Sequence, residues 1–261
     1  MKILFDNAAS RATISSINEL ANYPASNLVS PFAEERWQED FSEDPAAVIT
    51  VTFDNPEDID SLFFTYTNAT GIYAVTNTGA IAHGYMHDVE ATDDGEEIVT
   101  DDGYDIGIIE AIKLSDGIYW DSVQEDVTSV TIYVFGTENP LYLGEIGLGL
   151  SYSMPNPLAN FGEGFEDNSI IASSQYGQVV QNYIDPLAVD SYNFVGVTRE
   201  TLVDIKEKYK AVGVGGKVWV DLTSEKHEFK TPMYAVISAP FQSALMGNGK
   251  YSFTLSFTEA R

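Results

Sequence analysis

Val127-Thr128-Ser129-Val130-Thr131-Ile132-Tyr133-Val134-Phe135 is the stretch from which the fold is most directly read. Branched and aromatic residues dominate it, so it predicts a β-strand. Working outward, Val48 to Phe53 alternates and is rich in branched residues. Ser61 to Tyr66 follows after the turn-like Asn55-Pro56-Glu57-Asp58, and Gly71–Val75 and Ile106–Ile109 are further strands. Leu141 to Leu148 closes this half. Many short strands with turn signals between them predict a mostly β chain, here a jelly-roll β-sandwich over residues 1–150.

The seam is predicted at 151–157, where Met154-Pro155-Asn156-Pro157 places two prolines in three residues. Gly162 and Gly164 follow and argue against regular structure there. Beyond it, 158–261 reads as a smaller β-sandwich with one flanking helix. Gln178–Tyr183 and Ser191–Val197 alternate as a hairpin would. Leu202, Ile205, Tyr209 and Val212 then recur at helical spacing, predicting a helix over about 200–212. Acidic residues come early and lysines late, which suits the helix dipole. Thr198 or Thr201 is the predicted cap, and Gly213 with Gly215-Gly216 the stop. Lys217–Leu222, Tyr234–Ile237 and Tyr251–Phe257 return to strand.

Charge divides the chain at the same place. Of 261 residues, 40 are Asp or Glu and 13 Lys or Arg, a net −27. Residues 1–150 hold 28 acidic and 4 basic residues, net −24, while 151–261 hold 12 and 9, net −3. Such a surface repels phosphates, so neither nucleic-acid binding nor docking on anionic lipid is expected. There is no cysteine, hence no disulfide scaffold, thiolate metal site or cysteine nucleophile. The first apolar run, Ile3-Leu4-Phe5, is too short for a secretory signal, and no window approaches a membrane span. Synthesis in the cytosol without membrane insertion is the expectation.

Two resemblances follow from named residues. Ala21-Asn22-Tyr23-Pro24-Ala25-Ser26-Asn27-Leu28-Val29, then Arg36-Trp37, then Ile49–Phe53, resembles the opening of galactose-binding-like (discoidin-type) jelly rolls. Val130–Tyr133 and Gly144–Gly149 are similar to that family's last strands. The likeness spans about 1–150. The second half, with its helix and its closing Tyr251–Glu259, resembles tail-tube and distal-tail proteins of tailed bacteriophages. That combination implies a non-catalytic structural protein of a virion tail, assembled in the host cytoplasm and released with the particle. Its partners would be other tail proteins and further copies of itself in a ring through 151–261, with host-surface glycan as a further partner. The alternative implied by the first resemblance alone is a carbohydrate-binding module acting in host-surface recognition.

Candidate chemistry is sparse. Arg36-Trp37 suits sugar recognition, with the indole stacking on a ring and the guanidinium donating to hydroxyls. The competing reading packs Trp37 at the end of the sandwich and pairs Arg36 with Glu34, Glu35 or Asp40, and in the resembling jelly rolls the Trp is usually core. Tyr85, Tyr119 and Trp120 are further candidates for a ligand patch. Asp93, Asp94, Asp101, Asp102 and Asp105 suit Ca²⁺, which wants several oxygen ligands, but they lack the EF-hand spacing and read equally as a solvated acidic loop. His83 and His87 with Asp88 suit a transition metal or, alternatively, a strand tip with exposed imidazoles. Gly213-Val214-Gly215-Gly216-Lys217-Val218 follows a helix and lacks Ser or Thr after Lys, so it reads as a turn and not a phosphate loop. No G-x-S-x-G elbow is present, and with 40 acids any carboxylate pair is uninformative. The chain is therefore read as having no catalytic residues.

Overall fold

The computed structural model describes residues 1–30, 35–40, 46–65, 67–86, 115–136, 140–155, 157, 162–166, 170–173, 179–182, 187–221 and 232–260. The fold is mostly β, with jelly-roll sheets and one α-helix among the described residues. Two compact bodies divide between Tyr152 and Ser153, the second comprising Ser153–Val220 and Tyr234–Ala260.

The N-terminal body carries β1 (Lys2–Leu4), β2 (Ala12–Ser16), β3 (Trp37–Glu39), β4 (Ala46–Thr65), β5 (Gly71–Thr76), β6 (Ile81–Met86), β7 (Ser115–Phe135), β8 (Leu141–Leu143), β9 (Ile146–Gly149) and the short β10 (Tyr152–Ser153) at its end. Its main sheet runs β2-β4-β7-β5-β6 in antiparallel order. The segment Asn55-Pro56-Glu57-Asp58, read from sequence as a turn between two strands, lies inside one twenty-residue strand. It interrupts the ladder without ending it. The register shifts between Thr52 and Glu57, then between Glu57 and Ile59 and between Ile59 and Ser61. Pro56 donates no backbone hydrogen bond and is tolerated at such an irregularity. Opposite, Asp126 takes φ 54, and its N–H bonds to the Asp58 carboxylate at 3.1 Å. The first arm of β4 runs between β2 and β7, and the second between β9 and β7. One bent strand thus serves two parts of the roll. Leu141–Leu148, read as one strand, is two: β8 pairs with β3 and β9 with β4.

Strict alternation fixes the core. Ala47, Ile49 and Val51 of β4, Val130, Ile132 and Val134 of β7, and Ile72 and Ala74 of β5 all point inward. Leu28, from the 3-10 turn Ala25–Val29, and Trp37 of β3 complete the same cluster. The Ala-x-Asn-Leu-Val stretch therefore works as a plug, with Ala25 and Leu28 inward.

The C-terminal body carries β11 (Gly162–Glu166), β12 (Ile170–Ser173), β13 (Val179–Asn182), β14 (Leu187–Val197), α1 (Arg199–Val212), β15 (Lys217–Asp221), β16 (Met233–Ile237), β17 (Gln242–Gly247) and β18 (Lys250–Glu259). Its sheet runs β15-β16-β18-β14-β11, with β17 also on β18, and β12–β13 form a separate pair. Gly162 and Gly164, expected to break regular structure, lie in β11, which pairs with β14 and ends the sheet among the described residues. The helix starts and stops on the predicted residues. Thr198 Oγ1 accepts from Thr201 N–H at 3.3 Å, and Gly213 ends it at φ 77. Leu202 and Ile205 are its buried positions.

Trp37 has 0% exposure, and its indole N–H has no hydrogen-bond partner among the described residues. Trp37→Ala is expected to lower unfolding free energy by about 3–5 kcal/mol through cavity formation. Trp37→Phe should cost clearly less, because it keeps much of the ring and removes the unsatisfied N–H. Urea unfolding of the three proteins checks this ordering.

Candidate functional site

The residues singled out from sequence do not converge on one patch. Trp37 is enclosed in the core, so its ring cannot stack on a ligand, and the sugar-stacking reading of that residue is corrected. Trp120 is 5% exposed and spends its indole N–H on the Ala80 carbonyl at 3.2 Å, so it too is a packing residue and not a binding surface. Arg36 is exposed, with its guanidinium 5.2 Å from the centre of the Tyr142 ring, and its carbonyl accepts from Asn27 Nδ2 at 3.0 Å. No salt bridge involves Arg36 among the described residues. Tyr85 lies on β6, but its side chain falls outside the described residues, as does that of His83. His87, Asp88, Asp93, Asp94, Asp101, Asp102 and Asp105 also lie outside the described residues. Among the described residues, no group of three metal-ligating side chains occurs, and no helix is long and apolar enough to cross a membrane.

A different surface emerges from the alternation that built the core. If Ile132 and Val134 face inward, Thr131, Tyr133 and Phe135 must face outward. The same holds for Tyr73 and Val75 of β5 and for Val48 and Thr50 of β4, and all seven are half-buried. Register then sets them side by side. Val48, Tyr133 and Tyr73 form one row across three strands, and Thr50, Thr131 and Val75 the next. Ile81 of β6 stands opposite Val75 and is 49% exposed. The Tyr73 and Tyr133 rings stack at 4.5 Å between centroids and 14° between planes. Phe135 stacks on Tyr73 from the neighbouring row, at 5.7 Å and 24°.

The surface is distinctive in charge as well. In a half that carries 28 acids, residues 61–87, 46–53 and 127–137 contain no Asp, Glu, Lys or Arg. The strand segments that make the aromatic face are therefore uncharged. Burial pushes the Tyr73 phenol above the ordinary tyrosine range, and the adjacent Tyr133 adds to the shift. Tyr73 thus keeps its proton throughout the neutral range and offers both a donor and an acceptor.

From sequence, Tyr73, Tyr133 and Phe135 are legible as strand residues but not as a site. The signal was present in two forms: alternate aromatics in the clearest strand, and uncharged runs in an otherwise acidic half.

No family model matches the chain, and no curated protein sequence matches it. Solved structures do. The family 32 carbohydrate-binding module of Clostridium perfringens NanJ, in complex with galactose, aligns at 15% identity over 57% of this chain and 98% of that one, TM-score 0.40. A fucose-binding module of Streptococcus pneumoniae, SpX-3, aligns at 11% identity over 57% and 99%, TM-score 0.36. A match to SpGH29 covers 57% of this chain but only 28% of that one, at 10% identity and TM-score 0.41. The NanJ and SpX-3 matches are to carbohydrate-binding modules and a further one, with lectinolysin, to a lectin domain, and none of them is named as a tail protein. The expectation of a phage tail protein, with its tail partners, is corrected on that finding.

A phenol whose folded value is raised binds its proton more tightly in the folded than in the unfolded chain. Its contribution is whole below the unfolded value of 10.0 and is lost as pH rises through the folded value. On the alkaline side of pH 10.0, the urea midpoint of the wild type is therefore expected to fall relative to that of Tyr73→Phe, with no such divergence near neutrality.

Proposed function

We propose that the chain is a non-catalytic carbohydrate-binding module that holds neutral glycans on the Tyr73–Tyr133–Phe135 face. The observation that carries this reading is the uncharged aromatic stack on a body of net −24. A half-exposed aromatic surface without charge suits a partner that covers it in use. Sugar rings present equatorial hydroxyls, which suit phenols and threonine hydroxyls, and apolar C–H groups, which suit the aromatic edges of the stack and the neighbouring valine side chains. An uncharged ligand pays no electrostatic cost in approaching an acidic body, whereas a uronic acid or a phosphate would.

Among the described residues, no further strand or helix is layered on this face of the sheet. It suits the side of a sugar chain, which would lie along the ring edges and phenol hydroxyls that the mutually stacked Tyr73, Tyr133 and Phe135 turn outward. The Thr50 and Thr131 hydroxyls flank the stack and are positioned to set orientation. Arg36, beside Tyr142 on the β3–β8 ribbon, is outside this assignment.

Titration calorimetry against a panel of neutral oligosaccharides tests the reading, with galactose, fucose and Lewis b included because the matched structures were solved with or named for them. Tyr133→Ala is expected to weaken the best ligand about tenfold, which corresponds to about 1.4 kcal/mol. Tyr133→Phe should stay within about threefold, since stacking survives the loss of one hydroxyl. Arg36→Ala should leave affinity unchanged. Binding that survives Tyr133→Ala and is lost with Arg36→Ala would overturn the assignment of the face.

A further inference from the structure

Among the described residues of the C-terminal body, β17 of the hairpin β17–β18 is the most exposed strand. All six residues of β17 are exposed, Leu245 at 66% and Met246 at 53%. Successive strand residues point to opposite faces, so both faces of this strand are bare. The hairpin is nonetheless well fixed. Asn248 at φ 50 and Gly249 at φ 70 make the two-residue turn that suits strand twist. At its base Phe241 stacks on Phe253 at 5.3 Å, and Phe253 on Phe194 at 4.6 Å. Tyr209 of α1 reaches the same base, with its ring 5.4 Å from Phe241 and its hydroxyl donating to the Ala239 carbonyl at 3.1 Å.

β17 pairs with β18 on one side and, among the described residues, with nothing on the other. An open edge offers a row of backbone donors and acceptors to any added strand. Natural edges are blunted by lysine, proline or inward charge. Gln242-Ser243-Ala244-Leu245-Met246-Gly247 has none of these. Charge also singles out the place. Residues 229–258 contain no Asp or Glu, in a chain whose net charge is −27. Two copies repel each other through their acidic surfaces, and this hairpin contributes no acid to that repulsion.

We infer that β17 pairs antiparallel with β17 of a second copy, joining two hairpins into one four-stranded sheet in a weak two-fold dimer. An antiparallel strand edge is self-complementary, as an isologous contact requires. Pairing would satisfy the open backbone groups and bring Leu245 and Met246 of the two copies together. Screening relieves the mutual repulsion of the acidic surfaces, so the dimer strengthens with salt.

The chain has no cysteine, so one introduced thiol reports cleanly. Single substitutions Ser243→Cys, Ala244→Cys, Leu245→Cys and Met246→Cys are compared under mild oxidation with Ile17→Cys, an exposed control on the other body. The expected result is disulfide-linked dimer from at least one β17 position, formed at least tenfold faster than from Ile17→Cys. Sedimentation should show a concentration-dependent dimer whose association constant falls at least tenfold in Leu245→Lys, with thermal unfolding at low concentration unchanged. Cross-linking no faster than the control at all four positions, or a wild-type monomer at every concentration and salt level, would overturn the proposal.

Discussion

The antiparallel ladder between β4 and β7 is the constraint on which the N-terminal body depends. It runs from Ala46 opposite Phe135 to Thr65 opposite Ser115, with the irregularity at Pro56 and Asp126 in its middle. Because side chains alternate with a period of two, this one register decides both faces at once. It sends Ile49, Val51, Ile132 and Val134 into the core, and Tyr133 and Phe135 to the outside. A slip of one residue would bury the tyrosine and expose the isoleucine. The core and the proposed binding face are two consequences of the same pairing.

Electrostatics gives the outward face its meaning. Acidic residues crowd the N-terminal half but are absent from the strand segments beneath the aromatic stack. The few described cations of this half are engaged at their own places. Arg11 lies between Asp6 and Glu57, Lys2 over the Tyr119 ring and Arg36 beside Tyr142. An acidic periphery around a neutral aromatic centre repels anions, and on the proposed function it leaves a neutral sugar free to approach the stack. The C-terminal body uses charge differently. Its acid-free hairpin is the place where copies of the chain can meet.

Much of the fold was legible in the sequence because it depends on local signals. The helix was readable from the spacing of Leu202, Ile205 and Tyr209 and from its end signals at Thr198 and Gly213. The strands around Val48, Gly71, Val127 and Tyr251 were readable from branched and aromatic content. What was misread depended on pairing. Asn55-Pro56 has the composition of a turn, yet the ladder to β7 carries the strand through it. Gly162 and Gly164 look like breakers, yet they lie in a strand paired with β14. The exposed β17 offers no apolar periodicity to read. The packing of the tryptophans was only partly legible, for a related reason. Trp37 and Trp120 are the residue type most associated with sugar stacking, but the packing of the roll encloses both. Tyr73 and Tyr133 become a site only when strands more than fifty residues apart in sequence are set side by side.

The most direct measurement of the central claim is amide chemical-shift mapping on addition of a neutral oligosaccharide that binds. The account predicts that the largest perturbations cluster on Tyr73, Val75, Thr131, Tyr133 and Phe135, across β5 and β7. Perturbations centred instead on Arg36, Gln38 and Tyr142, with β5 and β7 unmoved, would contradict it.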